Sequence, residues 1–241
     1  MTSIDLDVPA RALAIGAHPD DIEFGCGATL AKWGATGTSV HLLVLTDGSK
    51  GTWDPGADLT ALVDERQREQ RDAAAALGAA STENLGGIDG ELDETVALRA
   101  EICARIRRIR PSVVLGHDPW KHYRLHPDHR HAGFLTLDAL VAARDPHFFP
   151  DQDVPPFRPA ALLLFEADAP DHVERVDGTI DRKVEALLAH RSQWRSTLGI
   201  EPSDPAPGTA AFLERVRGEA IEAGASAGVP MAESFKLVSE L

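Results

Sequence analysis

The chain has 241 residues, a length that suits one α/β domain. Its 38 acidic and 24 basic side chains give a net charge of −14 at pH 7, which repels phosphate backbones and anionic lipid, so we expect no nucleic-acid partner and no membrane partner. The two cysteines, Cys26 and Cys103, lie outside any Cys-x-x-Cys spacing, and the first ten residues have neither a basic start nor an apolar run, which predicts a cytoplasmic protein.

Short apolar runs alternate with helical patterns along most of the chain. The runs predict buried strands at residues 11–16, 40–46, 112–116 and 160–165, and a weaker strand near 83–85. Helical periodicity predicts helices at residues 26–33, 62–77, 95–109, 131–143 and 179–194. This alternation predicts an α/β fold, specifically a single-domain, Rossmann-like three-layer sandwich with a mostly parallel sheet.

The single domain is expected to span residues 1–241, with its core at about 10–197. Residues 199–208 are rich in Pro, Ser and Gly, which predicts an exposed loop. A last helix is expected at about 210–223. The segment 198–241 is therefore interpreted as a loop followed by a C-terminal helix or extension.

Polar residues follow several predicted strands, at the edge where open α/β sheets bind ligands. The sharpest examples are His-Pro-Asp-Asp at residues 18–21 and His-Pro-Asp-His at residues 126–129. Five of the ten histidines fall between residues 117 and 131, a clustering typical of a metal or proton-transfer site. Two imidazoles and one carboxylate would form a three-ligand site that leaves a coordination position open for water.

Spacing alone leaves the individual roles open. Of Asp20 and Asp21, one would bind the metal while the other acts as the base that activates water. Of His126 and His129, one would bind while the other, oriented by Asp128, donates a hydrogen bond to the oxyanion. The structural alternative is a pair of aspartates that only cap a helix and histidines that are solvated. The presence of both motifs at strand ends of one sheet favours the metal site.

Several segments together resemble one known family over most of the chain. They are Ala17 to Asp21 followed by Glu23, Thr46-Asp47-Gly48, His126 to His129, and more weakly Arg66, Glu69 and His190-x-Ser192-Gln193. The chain resembles the LmbE-like, or PIG-L-type, zinc-dependent N-acetylglucosaminyl deacetylases. The resemblance implies a hydrolase that removes an acetyl group from an N-acetylglucosamine-type or related N-acetylated small molecule.

The resemblance also implies roles for the residues of the two motifs. Zn²⁺ would be bound by His18, Asp21 and His129. Fe²⁺ or another divalent ion would also suit this donor set. Asp20 would be the general base that activates the metal-bound water, and His126, supported by Asp128, would stabilise the oxyanion.

Two further residues would bind substrate if the resemblance holds. Arg66 matches a position whose guanidinium holds a substrate hydroxyl or phosphate, although an ion pair with Glu69 on the helix surface would explain it equally well. Asp47 matches a residue of the pocket wall, although a turn with Gly48 would explain it too. The segment 49–60 and Met231 match no family feature, which leaves the acyl acceptor open.

Three other functions remain as alternatives. An amidase of a thiol-sugar conjugate would break an amide at the same centre. A non-catalytic sugar-binding or metal-binding module would explain the ligands but not the spare acid and base. An Fe²⁺-dependent oxygenase would use the same three ligand types. A homo-oligomer is expected if Phe148, Phe149 and Phe157 are exposed.

Overall fold

The computed structural model describes residues 2–241 and contains one eight-stranded sheet. Its strands are β1 (Ser3–Ile4), β2 (Arg11–Gly16), β3 (Ser39–Thr46), β4 (Ser81–Gly87), β5 (Val113–His117), β6 (Ala161–Phe165), β7 (His172–Arg175) and β8 (Ala232–Val238). They lie in the order β1-β7-β8-β6-β5-β2-β3-β4. All neighbours are parallel except the two pairs that contain β8. The predicted mostly parallel sheet is confirmed.

Six α-helices cover the sheet. They are α1 (Asp21–Ala35), α2 (Leu59–Ala76), α3 (Val96–Ile109), α4 (Pro127–Arg144), α5 (Ile180–Ala189) and α6 (Pro205–Ala225). In β2, Ala12 and Ala14 pack into the core that contains α1, α2 and α5, whereas Leu13 and Ile15 pack with α3 and α4. Both faces of the sheet are buried, which confirms the three-layer arrangement and explains the continuous apolar runs. None of the helices described is both long and apolar enough to cross a bilayer.

The C-terminal segment joins the sheet, which the sequence analysis did not predict. β8 pairs antiparallel with both β6 and β7, and α6 packs against β8 and α5. The helix begins at Pro205, inside the predicted loop, because proline is well tolerated in the first turn of a helix. Residues 198–241 therefore belong to the core fold. The strand gave no clear signal because Glu233, Ser234 and Lys236 interrupt its apolar residues.

A kink in α1 is stabilised from the C-terminal segment. At Cys26 the backbone leaves helical geometry, with φ −153° and ψ 17°. The Glu233 carboxylate accepts hydrogen bonds from the freed N–H groups of Ala28 (3.2 Å) and Thr29 (2.8 Å). The Lys183 ammonium donates to the carbonyl of Phe24 (2.6 Å) and to Glu233 (2.7 Å). This buried ion pair replaces the helical bonds that the kink removes.

Replacing one partner of this pair is expected to be costly. Glu233→Gln should lower the free energy of unfolding by about 3 kcal/mol, because Lys183 is left as an uncompensated buried charge. Denaturant unfolding of the variant measures the loss. Glu240→Gln, at an exposed position near the C-terminus, is the matched control. A loss no larger than the control's would contradict the stabilising role of the pair.

The three phenylalanines proposed to cover a partner are not all on the surface. Phe149 and Phe157 are partly buried and pack against the core that contains α3 and α4. Phe148 is 39 % exposed. The expected exposed patch is therefore reduced to one residue, and a homo-oligomer remains a prediction.

Candidate functional site

The carboxyl ends of the parallel strands β2 to β6 meet at one edge of the sheet, where the loops surround a cavity of about 700 Å³. The cavity brings together six of the eight predicted site residues: His18, Asp20, Asp21, Arg66, His126 and His129. The other two, Asp47 and Asp128, are not among the residues that line it. The predicted edge of the sheet is therefore where these side chains converge.

Three predicted metal ligands point donor atoms at one another. His18 Nδ1 lies 3.2 Å from the Asp21 carboxylate and 3.2 Å from His129 Nε2. His129 Nε2 lies 3.2 Å from the other oxygen of Asp21. Four donors arranged tetrahedrally around Zn²⁺ at about 2.0–2.1 Å lie about 3.3 Å apart. The separations of the two ring nitrogens from each other and of each from one oxygen of Asp21 thus suit a tetrahedral metal ion. His126 and His117 offer further donors beside them.

Two carboxylates behind His18 fix its ring. His18 Nε2 lies 3.1 Å from Asp89 and 3.1 Å from Asp128, so Nε2 keeps its proton and Nδ1 is the nitrogen available to a metal ion. Burial opposes the charged ring, but Asp21, Asp128 and Asp89 raise the pKa of His18 to about 12. This excess of negative charge favours a cation at the site.

The role predicted for Asp128 needs correction. Its carboxylate was expected to orient His126. Instead it contacts His18 and accepts hydrogen bonds from the backbone N–H groups of Gly90 (2.7 Å) and Leu92 (3.2 Å). Asp128 is fully buried and lies behind a predicted metal ligand. Spacing placed it near His126 in sequence, but the first turn of α4 directs the two side chains to different partners.

His126 is placed to donate a hydrogen bond into the cavity. It precedes α4, and its Nδ1 accepts the N–H of Asp128 at 3.3 Å. The ring proton of the neutral form therefore resides on Nε2. Burial lowers the pKa of His126, and the positive charges of His18 and His129 lower it further. A neutral imidazole with a free Nε2–H suits the stabilisation of a developing oxyanion.

Asp20 combines a carboxylate that lies 3.5 Å from Arg66 Nη2 with an unusual backbone. It occupies the position before α1, but its side chain accepts no hydrogen bond from the helix, which excludes the interpretation of this residue as a simple cap. Its φ of 99° is uncommon for a residue other than glycine. Burial raises the pKa of Asp20 to about 6, against the lowering effect of Arg66. That value suits a general base near neutral pH.

A buried chain of polar side chains holds the backbone of Asp20. The Asp20 N–H donates to Gln70 Oε1 at 3.3 Å, and Gln70 Nε2 donates to Glu23 Oε1 at 2.7 Å. His190 Nε2 lies 3.7 Å from the second oxygen of Glu23. Glu23 and His190 are fully buried. The network supports a strained conformation that would otherwise cost about 1–3 kcal/mol.

Arg66 lines the cavity but is also tied to the surrounding backbone. Its guanidinium donates to the carbonyls of Gly48 (2.8 Å) and Pro19 (2.5 Å). The alternative ion pair with Glu69 does not form, since the Glu69 carboxylate binds the backbone and hydroxyl of Ser192. Arg66 therefore braces two loops of the site and lies within reach of a ligand.

The structure places Asp47 in a turn. Its Oδ1 accepts the backbone N–H groups of Ser49 (2.9 Å) and Asp89 (3.1 Å). These contacts agree with the expected turn at Asp47 and Gly48. Asp47 does not line the cavity but holds the backbone of Asp89, which does. Asp89 itself lines the cavity. It was not predicted because the polar strand β4, which precedes it, gave only a weak signal in the sequence.

His117 is the first of the five clustered histidines, and the sequence analysis gave it no role in the site. It ends β5, and its Nε2 lies 3.2 Å from Asp21. Its ring stacks on His129 with centroids 4.5 Å apart and planes 12° apart. On the other side, Nδ1 lies 3.4 Å from Glu166. Burial lowers the pKa of His117, but Asp21 and Glu166 raise it overall. His117 therefore orients two predicted ligands, and its position at a strand end was the available signal.

Comparisons with known proteins find one family and several deacetylases to which this chain is similar. The family model described as "PIG-L: GlcNAc-PI de-N-acetylase" matches residues 13–140. A diacetylchitobiose deacetylase of Thermococcus kodakarensis is 36 % identical over 187 residues, which cover 76 % of this chain and 70 % of the relative. A 1D-myo-inositol 2-acetamido-2-deoxy-alpha-D-glucopyranoside deacetylase of Thermomonospora curvata is 33 % identical over 168 residues, covering 58 % of this chain and 55 % of the relative. 

A solved structure resembles the chain over nearly its whole length. It is the N,N'-diacetylchitobiose deacetylase from Pyrococcus horikoshii in complex with its inhibitor MPG. The TM-score is 0.85 at 28 % sequence identity, and the match covers 96 % of this chain and 84 % of the other. The structural match therefore extends well beyond residues 13–140, the range of the family match.

Proposed function

This chain belongs to the PIG-L family of GlcNAc-PI de-N-acetylases, and on that premise we propose that it removes the acetyl group of an N-acetylated amino sugar by metal-dependent hydrolysis. The observation that carries the proposal is the convergence of His18 Nδ1, His129 Nε2 and the Asp21 carboxylate, with contacts of 3.2 Å between each pair of groups. The Asp20 carboxylate lines the same cavity. The relatives named above are deacetylases of N-acetylglucosamine-containing compounds.

We propose Zn²⁺ as the resident metal, held by His18, Asp21 and His129, with Fe²⁺ or another divalent ion as the alternative. When bound there, the metal would supply Lewis acidity to the acetamide carbonyl and lower the pKa of water. Asp89 and Asp128 would keep His18 in the tautomer that presents Nδ1. His117 would hold the carboxylate of Asp21 in place.

The side chains around the donors account for the remaining steps. Asp20 accepts a proton as water adds to the acetamide carbon, and it returns that proton to the nitrogen when the C–N bond breaks. His126 Nε2–H donates to the oxygen that becomes negative. The products are acetate and the free amine. Arg66 braces Pro19 and Gly48 and is available to bind a substrate hydroxyl.

The geometry favours catalysis over a binding module. A module that only held a metal or sugar would need neither a base with a pKa of about 6 at Asp20 nor a neutral donor at His126.

An amidase of a thiol-sugar conjugate would use the same centre. A panel of N-acetylated sugars and acylated conjugates, followed by NMR detection of acetate and free amine, tests the proposal. Release of amine from conjugates but not from acetamides would assign the amidase instead.

The network behind Asp20 should matter for turnover. Gln70→Ala removes the acceptor of the Asp20 N–H, so kcat is expected to fall about tenfold to a hundredfold because the base is misplaced. KM and metal content should change little. Steady-state kinetics and metal analysis measure these effects, with Gln67→Ala on the same helix as control. An unchanged kcat, or an equal loss in the control, would show that Gln70 does not position Asp20.

We also propose a cytoplasmic location. Cys26 and Cys103 are free and buried, and they lie in core clusters on opposite faces of the sheet. Unpaired buried thiols are typical of proteins from reducing compartments.

A further inference from the structure

The loop of residues 118–126 connects β5 to α4 beside the cavity, which its last residue, His126, lines. Its side chains at Trp120, Tyr123 and Leu125 are exposed to solvent. Within residues 120–126, all of which the structure describes, Arg124 alone is buried, with 4 % of its side chain exposed. The loop therefore directs one charged side chain into the interior of the protein.

Arg124 contacts two side chains at the ends of neighbouring strands. Its Nη1 donates to Glu166 Oε2 at 2.7 Å and lies 3.2 Å from His117 Nδ1. His117 is the last residue of β5, and Glu166 directly follows β6, the strand paired with β5. Glu166 also lies 3.4 Å from His117 Nδ1. A guanidinium and a carboxylate thus hold the same nitrogen of the His117 ring.

The other nitrogen of the His117 ring faces the predicted metal ligands. His117 Nε2 lies 3.2 Å from the Asp21 carboxylate and 3.3 Å from the backbone nitrogen of Ala17. The ring stacks on His129, with the centroids 4.5 Å apart. Because an imidazole ring is rigid, groups that hold Nδ1 also determine where Nε2 points. Contacts therefore run without a break from Arg124 to Asp21.

Stability alone does not account for an arginine at this position. Nε and Nη2 of Arg124 are buried and have no hydrogen-bond partner among residues 2–241. Buried donors without partners cost folding free energy, and apolar side chains of similar volume often replace buried ion pairs without loss. Proteins keep such unfavourable arrangements chiefly at functional sites. The partnered nitrogen of Arg124 is the one directed at Glu166 and His117.

We propose that Arg124 is a positioning residue of the metal site. Together with Glu166 it fixes the His117 ring, and that ring holds the Asp21 carboxylate in the orientation that a metal ion requires. This inference rests on the proposed function, because it takes Asp21 as a metal ligand. Arg124 does not line the cavity, so it acts through His117 and not on the substrate.

The zinc affinity of the metal-stripped protein tests the proposal, measured in competition with a chromophoric chelator. Arg124→Met keeps the bulk of the side chain but removes its charge and its donors, so Zn²⁺ binding should weaken about tenfold to a hundredfold. Arg124→Lys restores a cationic donor and should bind Zn²⁺ more tightly than Arg124→Met. Arg99→Met is the matched control, since Arg99 also forms an ion pair at 2.7 Å, with Asp138, but does not line the cavity. Its Zn²⁺ affinity should equal that of the wild type.

A second readout reports ligand geometry without turnover. With Co²⁺ in place of Zn²⁺, the visible absorption spectrum depends on the coordination of the ion, so Arg124→Met should change it and Arg99→Met should not. Glu166→Gln should also weaken Zn²⁺ binding. Its effect and that of Arg124→Met should be less than additive in the double variant, because both residues act through the His117 ring. If thermal unfolding shows that Arg124→Met does not fold, Glu166→Gln and Arg124→Lys carry the test.

The outcomes separate the positioning role from the reaction. Wild-type Zn²⁺ affinity with an unchanged Co²⁺ spectrum in folded Arg124→Met, or fully additive losses in the double variant, would overturn the role of Arg124. Zn²⁺ binding no tighter in Arg124→Lys than in Arg124→Met would also overturn it, because the loss would then not come from the missing cationic donor. Wild-type protein that releases no acetate from N-acetylated sugars would refute the proposed function, while the metal measurements would still decide the positioning role.

Discussion

Asp20→Asn is expected to lower kcat for acetate release by about 10²–10⁴-fold while the metal stays bound. The amide of asparagine has the shape of the carboxylate but cannot accept the proton of the attacking water. The Asp20 carboxylate is not needed as a metal donor, because His18, Asp21 and His129 already place donor atoms 3.2 Å apart. Acetate release and bound metal are measured on the same preparation.

Asp21→Asn is the informative comparison for this variant. It alters a predicted ligand next to the base, so metal affinity should fall together with activity. Loss of the metal in Asp20→Asn and its retention in Asp21→Asn would reverse the assignment of the two aspartates. Full activity of Asp20→Asn would exclude Asp20 as the base.

His129→Ala is expected to abolish metal binding and, with it, nearly all acetate release. His129 Nε2 is one of three donors, and two donors alone do not make a catalytic zinc site. The substitution also removes the ring on which His117 stacks, which loosens the support of Asp21. Metal analysis after dialysis and a kinetic assay with added Zn²⁺ measure both effects.

His131→Ala provides the control for that variant. His131 lies two residues further along α4, where its Nδ1 contacts Glu94 at 2.9 Å. It is a histidine of the same cluster without a place in the cavity lining. Metal content and activity should stay near wild type. If the His129→Ala protein were active and contained metal, His129 would not be a required ligand. The metal would then be bound by other donors, His117 among the candidates.

Much of the fold was predictable because central parallel strands are buried on both faces. Their apolar runs predicted β2, β3, β5 and β6 within one or two residues at each end. The edge strand β4 carries polar residues, so its signal was weak. β8 was missed because Glu233 and Lys236 interrupt its apolar residues and because it pairs with strands distant in sequence.

The site was predictable as far as local motifs determine it. Two compact motifs at strand ends predicted that their histidines and aspartates would lie together, because parallel strands bring their carboxyl ends to one edge. The individual roles of these residues came from the family resemblance and stay predictions. The partners behind them depend on side-chain direction, since Asp128 follows His126 by two residues yet contacts His18, and Asp89 contacts His18 from the loop after β4. These contacts with His18 cannot be derived from the spacing of residues along the sequence.

The wall that α6 contributes to the cavity could not be predicted from the chain's pattern. The helix is placed there by its packing against α5 and β8 and by the contact of Phe212 with Phe24. The contacts of Arg66 could not be predicted either, since an ion pair between Arg66 and Glu69 on the helix surface was equally compatible with the sequence. In the structure, the Glu69 carboxylate instead accepts a hydrogen bond from the Ser192 hydroxyl.

The most direct test of the proposed reaction is a zinc titration of the metal-stripped protein. Acetate release from an N-acetylated amino sugar that the wild-type protein accepts is followed as Zn²⁺ is added. The account predicts no activity without metal, a linear rise, and a break at about one equivalent per chain, since the proposed site of His18, Asp21 and His129 would hold one ion. Acetate release at full rate from protein shown to be free of metal would contradict metal-dependent hydrolysis.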